Sequence, residues 1–179
     1  MVRRWLHRMV RGFERRFDYD AAYMHELISA SPAAMLKLSL VQPMNQHCRG
    51  VSRTAWHAAR ITAARHEDCG PCTQLVLDMA LADGMPAAEL RALVARDFAA
   101  MSADCALGVR LADAVAANEP ADALRAEIVA RFGQDGLISL AFAIAGARIF
   151  PTLKRALGHA RACERLRVDG DAMSAVRPA

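Results

Sequence analysis

Aromatic residues are scarce in this chain, 6% of 179 positions, so the hydrophobic fraction of 54% consists mostly of Ala, Leu, Val and Met. These are helix formers, Val being the weakest of them. No run of alternating apolar and polar residues bounded by turn residues stands out, which removes the main signal for half-buried strands and leaves an all-α fold as the expectation. Long apolar runs are missing too: none reaches the ~18 uninterrupted residues that span a bilayer. The nearest candidate, residues 137–150 (LISLAFAIAGARIF), is short, carries Arg148, and reads as a buried core helix. The first residues, MVRRWLHRMVRGFERRF, contain no continuous apolar segment and no small-residue cleavage site, so a secretory signal is not expected and the protein is expected to be cytoplasmic. In that compartment a stapling disulfide would stay reduced, and closely spaced cysteines point to catalysis or metal binding. The cysteine count of five is odd, which agrees. The formal charge of +4 is accompanied by neither a helix-turn-helix pattern nor a basic patch interleaved with aromatics, so no nucleic-acid partner is expected.

What is present suggests one domain with a sizeable core. Residues 1–18 form a basic amphipathic arm, with Trp5, Leu6, Met9, Val10, Phe13 and Phe17 on one helical face and Arg3, Arg4, Arg8, Arg11, Arg15 and Arg16 around the other. Such an arm attaches to an anionic membrane surface, or docks on its own core or a neighbouring subunit. The second is favoured, because surface helices of globular proteins share the pattern. A single helical domain is expected over residues 19–166. Ser31-Pro32 starts a helix that stops before Pro43, and Ser52 or Thr54 caps another that runs from Ala55 to Arg65 with Trp56 in the core. Cys72, Leu75, Val76, Met79 and Ala80 make a buried stripe on the next helix, which Gly84 ends. Pro86 and Glu89 start a helix burying Leu90, Leu93, Val94 and Phe98. Another spans roughly 103–117, with Cys105 as a small buried hydrophobe. Asp122 opens a helix that Gly133 closes, and a last one holds residues 137–150, kinks at Pro151 and continues to about Leu166. Residues 167–179, rich in Gly, Asp, Ser and Pro, are expected to be disordered.

The chemistry concentrates in His66-Glu67-Asp68-Cys69-Gly70-Pro71-Cys72. Two thiols three residues apart at a helix start can close a small disulfide ring, and the unpaired backbone N–H groups there favour a thiolate over a thiol. A zinc site would have to recruit His47 and Cys48, in a polar loop, alongside Cys69 and Cys72, but no second tight ligand pair exists, so neither metal nor cofactor is expected. Cys-Gly-Pro-Cys is also the thioredoxin tetrapeptide. A thioredoxin site follows a buried strand in a βαβ unit, whereas the preceding WHAARITAAR is alanine-rich and helical, which excludes that fold.

The frame of a helix over 56–68, Cys69-Gly70-Pro71-Cys72, a helix over 73–82 and then Asp83-Gly84-Met85-Pro86 resembles the alkylhydroperoxidase D-like and carboxymuconolactone decarboxylase-like family, in its peroxidase-related branch. The resemblance covers roughly residues 51–160 and leaves the basic arm outside. It implies an alkylhydroperoxidase D-like helical bundle that assembles as a homo-oligomer, with Cys72 as the peroxide-attacking thiol and Cys69 as its resolving partner. The family's proton relay uses a Glu twelve residues before the first cysteine and a His four after the second. Here those positions hold His57 and Val76. Proton handling would then fall to His57, or to His66 with Glu67 beside Cys69, since a neutral imidazole can take a thiol proton and an imidazolium lowers a thiol pKa.

The expected function is a cytoplasmic dithiol oxidoreductase, of peroxidase or disulfide reductase type, cycling a Cys69–Cys72 disulfide. Its substrate would be a peroxide or a disulfide, and a dithiol reductant such as a lipoyl protein or thioredoxin would regenerate it. The alternative is a non-catalytic oligomeric helical protein, a redox sensor or membrane-surface adaptor, in which the family's site has decayed. Lactone decarboxylation is disfavoured, because the decarboxylase members do not depend on a Cys-x-x-Cys.

Overall fold

The computed structural model describes residues 1–160 and 165–174. In chain order these form helices α1 (Val2–Phe17), α2 (Ala22–Ala30), α3 (Pro32–Ser39), α4 (Val41–Asn45), α5 (Arg53–His66), α6 (Gly70–Ala82), α7 (Ala87–Ala95), α8 (Ala103–Ala116) and α9 (Asp122–Ala156), then strands β1 (Arg165–Val168) and β2 (Asp171–Ser174). The chain is mostly helical, as composition and periodicity imply.

Helix α5 is the axis around which the rest is laid. The Ser52 hydroxyl accepts from the Ala55 N–H and starts it, and every side chain from Ala55 to Arg65 is buried. Its alanines let neighbours approach closely on all sides. On α8 the approach is so tight that a Cβ at Gly108 would sit 2.2 Å from the Ala55 carbonyl oxygen, so only glycine fits. Ala58, Ile61 and Ala64 pack with Leu77, Leu90 and Leu93 on one side, and Ala55, Ala59 and Ala63 with Leu111, Ile128, Leu140 and Ile144 on the other. A third cluster joins Leu6 and Val10 of α1 to Tyr19, Tyr23 and Ile28, with Leu75 of α6 and Phe150 of α9 against it. The arm is therefore docked on its own core. Its outer face still exposes Trp5 and Met9, each more than half accessible.

Four expectations about the elements need correction. The chain from 165 to 174 is an antiparallel hairpin, not a disordered tail; residues 175–179 lie outside the described part. Leu166 and Val168 alternate with arginines, and Asp169-Gly170, both at positive φ, supply the two-residue turn that suits a right-twisted hairpin. Leu166 and Val168 are fully buried in the cluster of Leu77 and Leu90, so hydrophobic burial outweighs the polar composition of the segment. Helix α9 ends at Ala156, ahead of Gly158 at φ 78°, instead of reaching Leu166. It runs through Pro151 and breaks only at Gly133 (φ 72°, ψ 178°). As expected, the helix that begins at Pro32 stops before Pro43, at Ser39; Pro43 falls in the separate short helix α4, whose first turn needs no N–H there. Helix α7 stops at Ala95, and Phe98, 42% exposed, lies in the following turn.

Although no uninterrupted apolar run of spanning length occurs, α9 is long and apolar enough by length and composition to cross a membrane: the mean hydropathy of its best 18 residues is 1.6, and 44% of them are buried inside the protein.

Candidate functional site

Asp68 adopts a left-handed backbone (φ 47°), a conformation that aspartate tolerates, and so turns the chain sharply from the end of α5 into Cys69. Cys69 is the N-cap of α6, and Gly70, Pro71 and Cys72 form its first turn. Proline fits there because its missing N–H is one that the helix start leaves unpaired. The Cys69 carbonyl accepts from both the Thr73 N–H (2.9 Å) and the Thr73 hydroxyl (3.1 Å), which fixes this turn. Cys69 and Cys72 are joined as a disulfide across a Cα separation of 5.3 Å. Both are buried, Cys69 completely and Cys72 to 5% exposure. Once reduced, Cys72 lies in the first turn of a helix, where backbone N–H groups and the helix dipole stabilise a thiolate.

The side chains nearest in sequence are committed elsewhere. His66 Nε2 bonds Asp113 Oδ1 of α8 at 2.8 Å, and Asp113 also holds Arg96 at 2.6 Å. Glu67 is buried against α9: Oε1 accepts from Arg148 Nε at 2.6 Å, Oε2 from Thr152 Oγ1 at 3.2 Å, and Arg155 pairs with the same carboxylate and with the Glu67 carbonyl. Glu67 thus clamps the cysteine turn to the last helix. His57 is buried at the other end of α6, with Nε2 2.9 Å from Asp83 Oδ2. Ten residues of helix separate Asp83's end from Cys72, about 15 Å at the usual rise. Burial depresses the His57 pKa, partly offset by the hydrogen bond to Asp83, and the same bond lowers that of Asp83. The structure therefore brings together the two cysteines but gives His57, His66 and Glu67 structural partners. His47 and Cys48 do not join them, and no metal-competent cluster of His, Cys, Asp and Glu occurs among the described residues.

Distant residues surround the sulfur instead. The Tyr19 hydroxyl is 3.9 Å from Cys72 Sγ. Lys154 of α9, buried to 2% exposure, places its ammonium 4.8 Å from the Tyr19 ring centroid and 5.4 Å from that of Tyr23. Burial pushes the Tyr19 pKa up to about 12 and raises that of Tyr23 further, so both phenols are protonated at neutral pH. Cys72 borders a cavity of about 60 Å³ lined by Tyr19, Tyr23, Asn45, Arg60, Val76 and Phe150, among others. Among the described residues, Asn45 Oδ1 and Arg60 Nε are buried there without a hydrogen-bond partner, while the Tyr23 hydroxyl interacts with that of Tyr19. Sequence offered one usable hint of this arrangement: Lys154 is one of two lysines in a chain rich in arginine, and it sits on the apolar last helix.

No family model, no curated protein and no solved structure matches the chain.

Proposed function

We propose that the protein is a dithiol oxidoreductase, of peroxidase or disulfide reductase type, that cycles the Cys69–Cys72 disulfide. The observation that supports this best is the placement of that pair on the first turn of α6, with Cys72 facing a small cavity and a protonated phenol. In the reduced protein Tyr19 donates a hydrogen bond to the Cys72 thiolate. The thiolate attacks one oxygen of a hydroperoxide, forming a sulfenic acid while the O–O bond breaks, and Tyr19 is the donor in position to protonate the departing oxygen. The Cys69 thiol gives its proton back to the Tyr19 phenolate, and the resulting thiolate attacks Cys72 Sγ, forming the disulfide and expelling hydroxide, which leaves as water with the proton that Cys72 released when it ionised. A dithiol reductant, of lipoyl or thioredoxin type, returns two electrons and two protons through a mixed disulfide. Tyr19 and Lys154 take the place of the relay for which an alkylhydroperoxidase D-like protein would use glutamate and histidine. Membership of that family, a homo-oligomeric state and a cytoplasmic location belong to the same proposal. An exposed apolar groove between α8 and α9, lined by Leu111, Val115, Leu137, Ile138 and Ala141, supports the oligomer.

One equivalent of hydrogen peroxide added to the reduced protein should give an intramolecular Cys69–Cys72 disulfide, seen as the loss of two hydrogens in the intact mass. If only slow over-oxidation of Cys72 appears, the cycle is refuted.

A second reading, attachment to a membrane surface, is favoured by the outer face of α1. Val2, Trp5 and Met9 are exposed beside Arg4, Arg8 and Arg15, while Glu14 is turned inward to His25. Flotation with anionic vesicles that is lost in a Trp5→Ala, Met9→Ala variant would support it; no flotation would remove it.

A further inference from the structure

The cavity at Cys72 adjoins a larger cleft of about 420 Å³ between α1 and the α5–α6 pair, and Phe13, Gln42, Arg60 and Met79 line both. The charged groups of this cleft do not balance. Arg16, Arg53 and Arg60 face it against a single carboxylate, Asp83, which is already held by Arg53 at 2.8 Å and His57 at 2.9 Å. With His57 neutral, two positive charges are in excess.

Arg60 is the informative member. It is 91% buried, with its guanidinium carbon over the Trp56 ring at 4.4 Å from the centroid; among the described residues its Nη2 reaches the Met79 sulfur at 3.8 Å and its Nε has no hydrogen-bond partner. Burial brings its pKa down to about 10, which still leaves it cationic at neutral pH. A buried guanidinium with an unsatisfied N–H normally costs stability unless an anion completes it. Beside it, His57 uses Nε2 on Asp83 and leaves a buried Nδ1 without a partner among the described residues. The aromatic and thioether walls of Trp56, Phe13 and Met79 suit a short carbon chain next to a charged end.

We propose that this cleft binds the carboxylate of a small anionic disulfide, through Arg60, Arg53 and Arg16, and presents its sulfur–sulfur bond to Cys72 in the inner cavity. The proposal rests on the dithiol reading and narrows its substrate. The inner cavity of about 60 Å³ admits the reacting end of a small molecule, while the cleft holds the charged remainder. In the step, Cys72 thiolate attacks one substrate sulfur and releases one substrate thiolate. Cys69 thiolate then attacks Cys72 Sγ and releases the second. The protein dithiol loses two electrons, and the substrate disulfide becomes two thiols.

The test compares two reagents of similar size, 3,3′-dithiodipropionate and the neutral bis(2-hydroxyethyl) disulfide, as oxidants of the reduced full-length protein. The anionic reagent should react at least about tenfold faster at low ionic strength, and the preference should shrink in high salt. In the Arg16→Gln, Arg53→Gln protein, both positions being on the surface, the ratio should fall to within about twofold of unity. An Arg4→Gln, Arg8→Gln protein carries the same change in net charge away from the cleft and should keep the wild-type ratio. Equal rates for the two reagents with wild-type protein, or equal losses in the two double variants, would overturn the anion site while leaving the dithiol cycle standing. If neither disulfide nor hydrogen peroxide oxidises the pair in any of these proteins, the dithiol reading itself falls.

Discussion

Replacing Tyr19 by Phe removes one oxygen and keeps the packing around it. The ring would still meet Phe13 edge-on, at 5.7 Å between centroids, and would still carry the Lys154 ammonium on its face. What is lost is the O–H that reaches Cys72 Sγ at 3.9 Å. A hydrogen bond to a charged acceptor contributes about 1.5–3 kcal/mol, and the long contact to sulfur places this one at the lower end. Each 1.36 kcal/mol is one pKa unit, so the Cys72 pKa should rise by about one unit in Tyr19→Phe. Below that pKa the thiolate population, and with it the rate of attack, should fall about tenfold. The measurement is the pH profile of alkylation, followed by thiolate absorbance, in a Cys69→Ser background that isolates Cys72. Tyr23→Phe removes a hydroxyl that interacts with that of Tyr19 and not with the sulfur, so its effect on the Cys72 pKa should be clearly smaller. An unchanged Cys72 pKa in Tyr19→Phe, or an equal rise in both variants, would refute the role given to Tyr19.

Three further outcomes follow from the fold. Glu67→Ala should cost about 2–3 kcal/mol in urea unfolding, since it breaks a buried carboxylate's charged hydrogen bonds, but less than a fully buried pair because Arg148 and Arg155, 39% and 52% exposed, can turn to water. Leu166→Ala, at a fully buried site, should cost about 2–5 kcal/mol; a neutral effect would mean that the hairpin does not seal the core. The His57 pKa lies below its unfolded value of 6.5, so the unfolded chain binds the extra proton first: stability should be complete above about pH 6.5 and decline as pH falls toward the folded-state pKa. Asp83, also lowered, should add a further loss below its unfolded value of 3.8. His57→Gln should flatten the upper part of that profile in pH-dependent thermal melts.

The helical frame could be read from local signals because its causes are local. Ser52 caps α5, Pro71 sits in the first turn of α6, and Gly84 at φ 88° terminates it. The hairpin had a local signal too, Asp169-Gly170 directly after the alternating Leu166 and Val168, but the polar composition of the segment argued against it, and its burial depends on Leu77 and Leu90 some eighty residues earlier. The surroundings of Cys72 were hidden for the same physical reason. Tyr19 lies 53 residues before it and Lys154 follows it only on the last helix, so no spacing connects them. His66 and Glu67, by contrast, adjoin Cys69 in sequence, yet they leave a helix end where side chains diverge, one toward Asp113 and the other toward Arg148.

If Cys69 and Cys72 cycle as proposed, the docking of α1 and α2 over Cys72 would divide that cycle by molecular size. A small oxidant needs only a passage wide enough for a few atoms, and its rate is set by the chemistry of the sulfur. A protein reductant must bring its own cysteine against a disulfide that is almost wholly enclosed. Were such a reductant to react only while the N-terminal helices lift away, an opening cost of about 3 kcal/mol would slow that half of the cycle by about two orders of magnitude. The oxidised form would then accumulate after a pulse of oxidant, and the stability of the N-terminal helices would act as the clock that sets how long the protein remembers it.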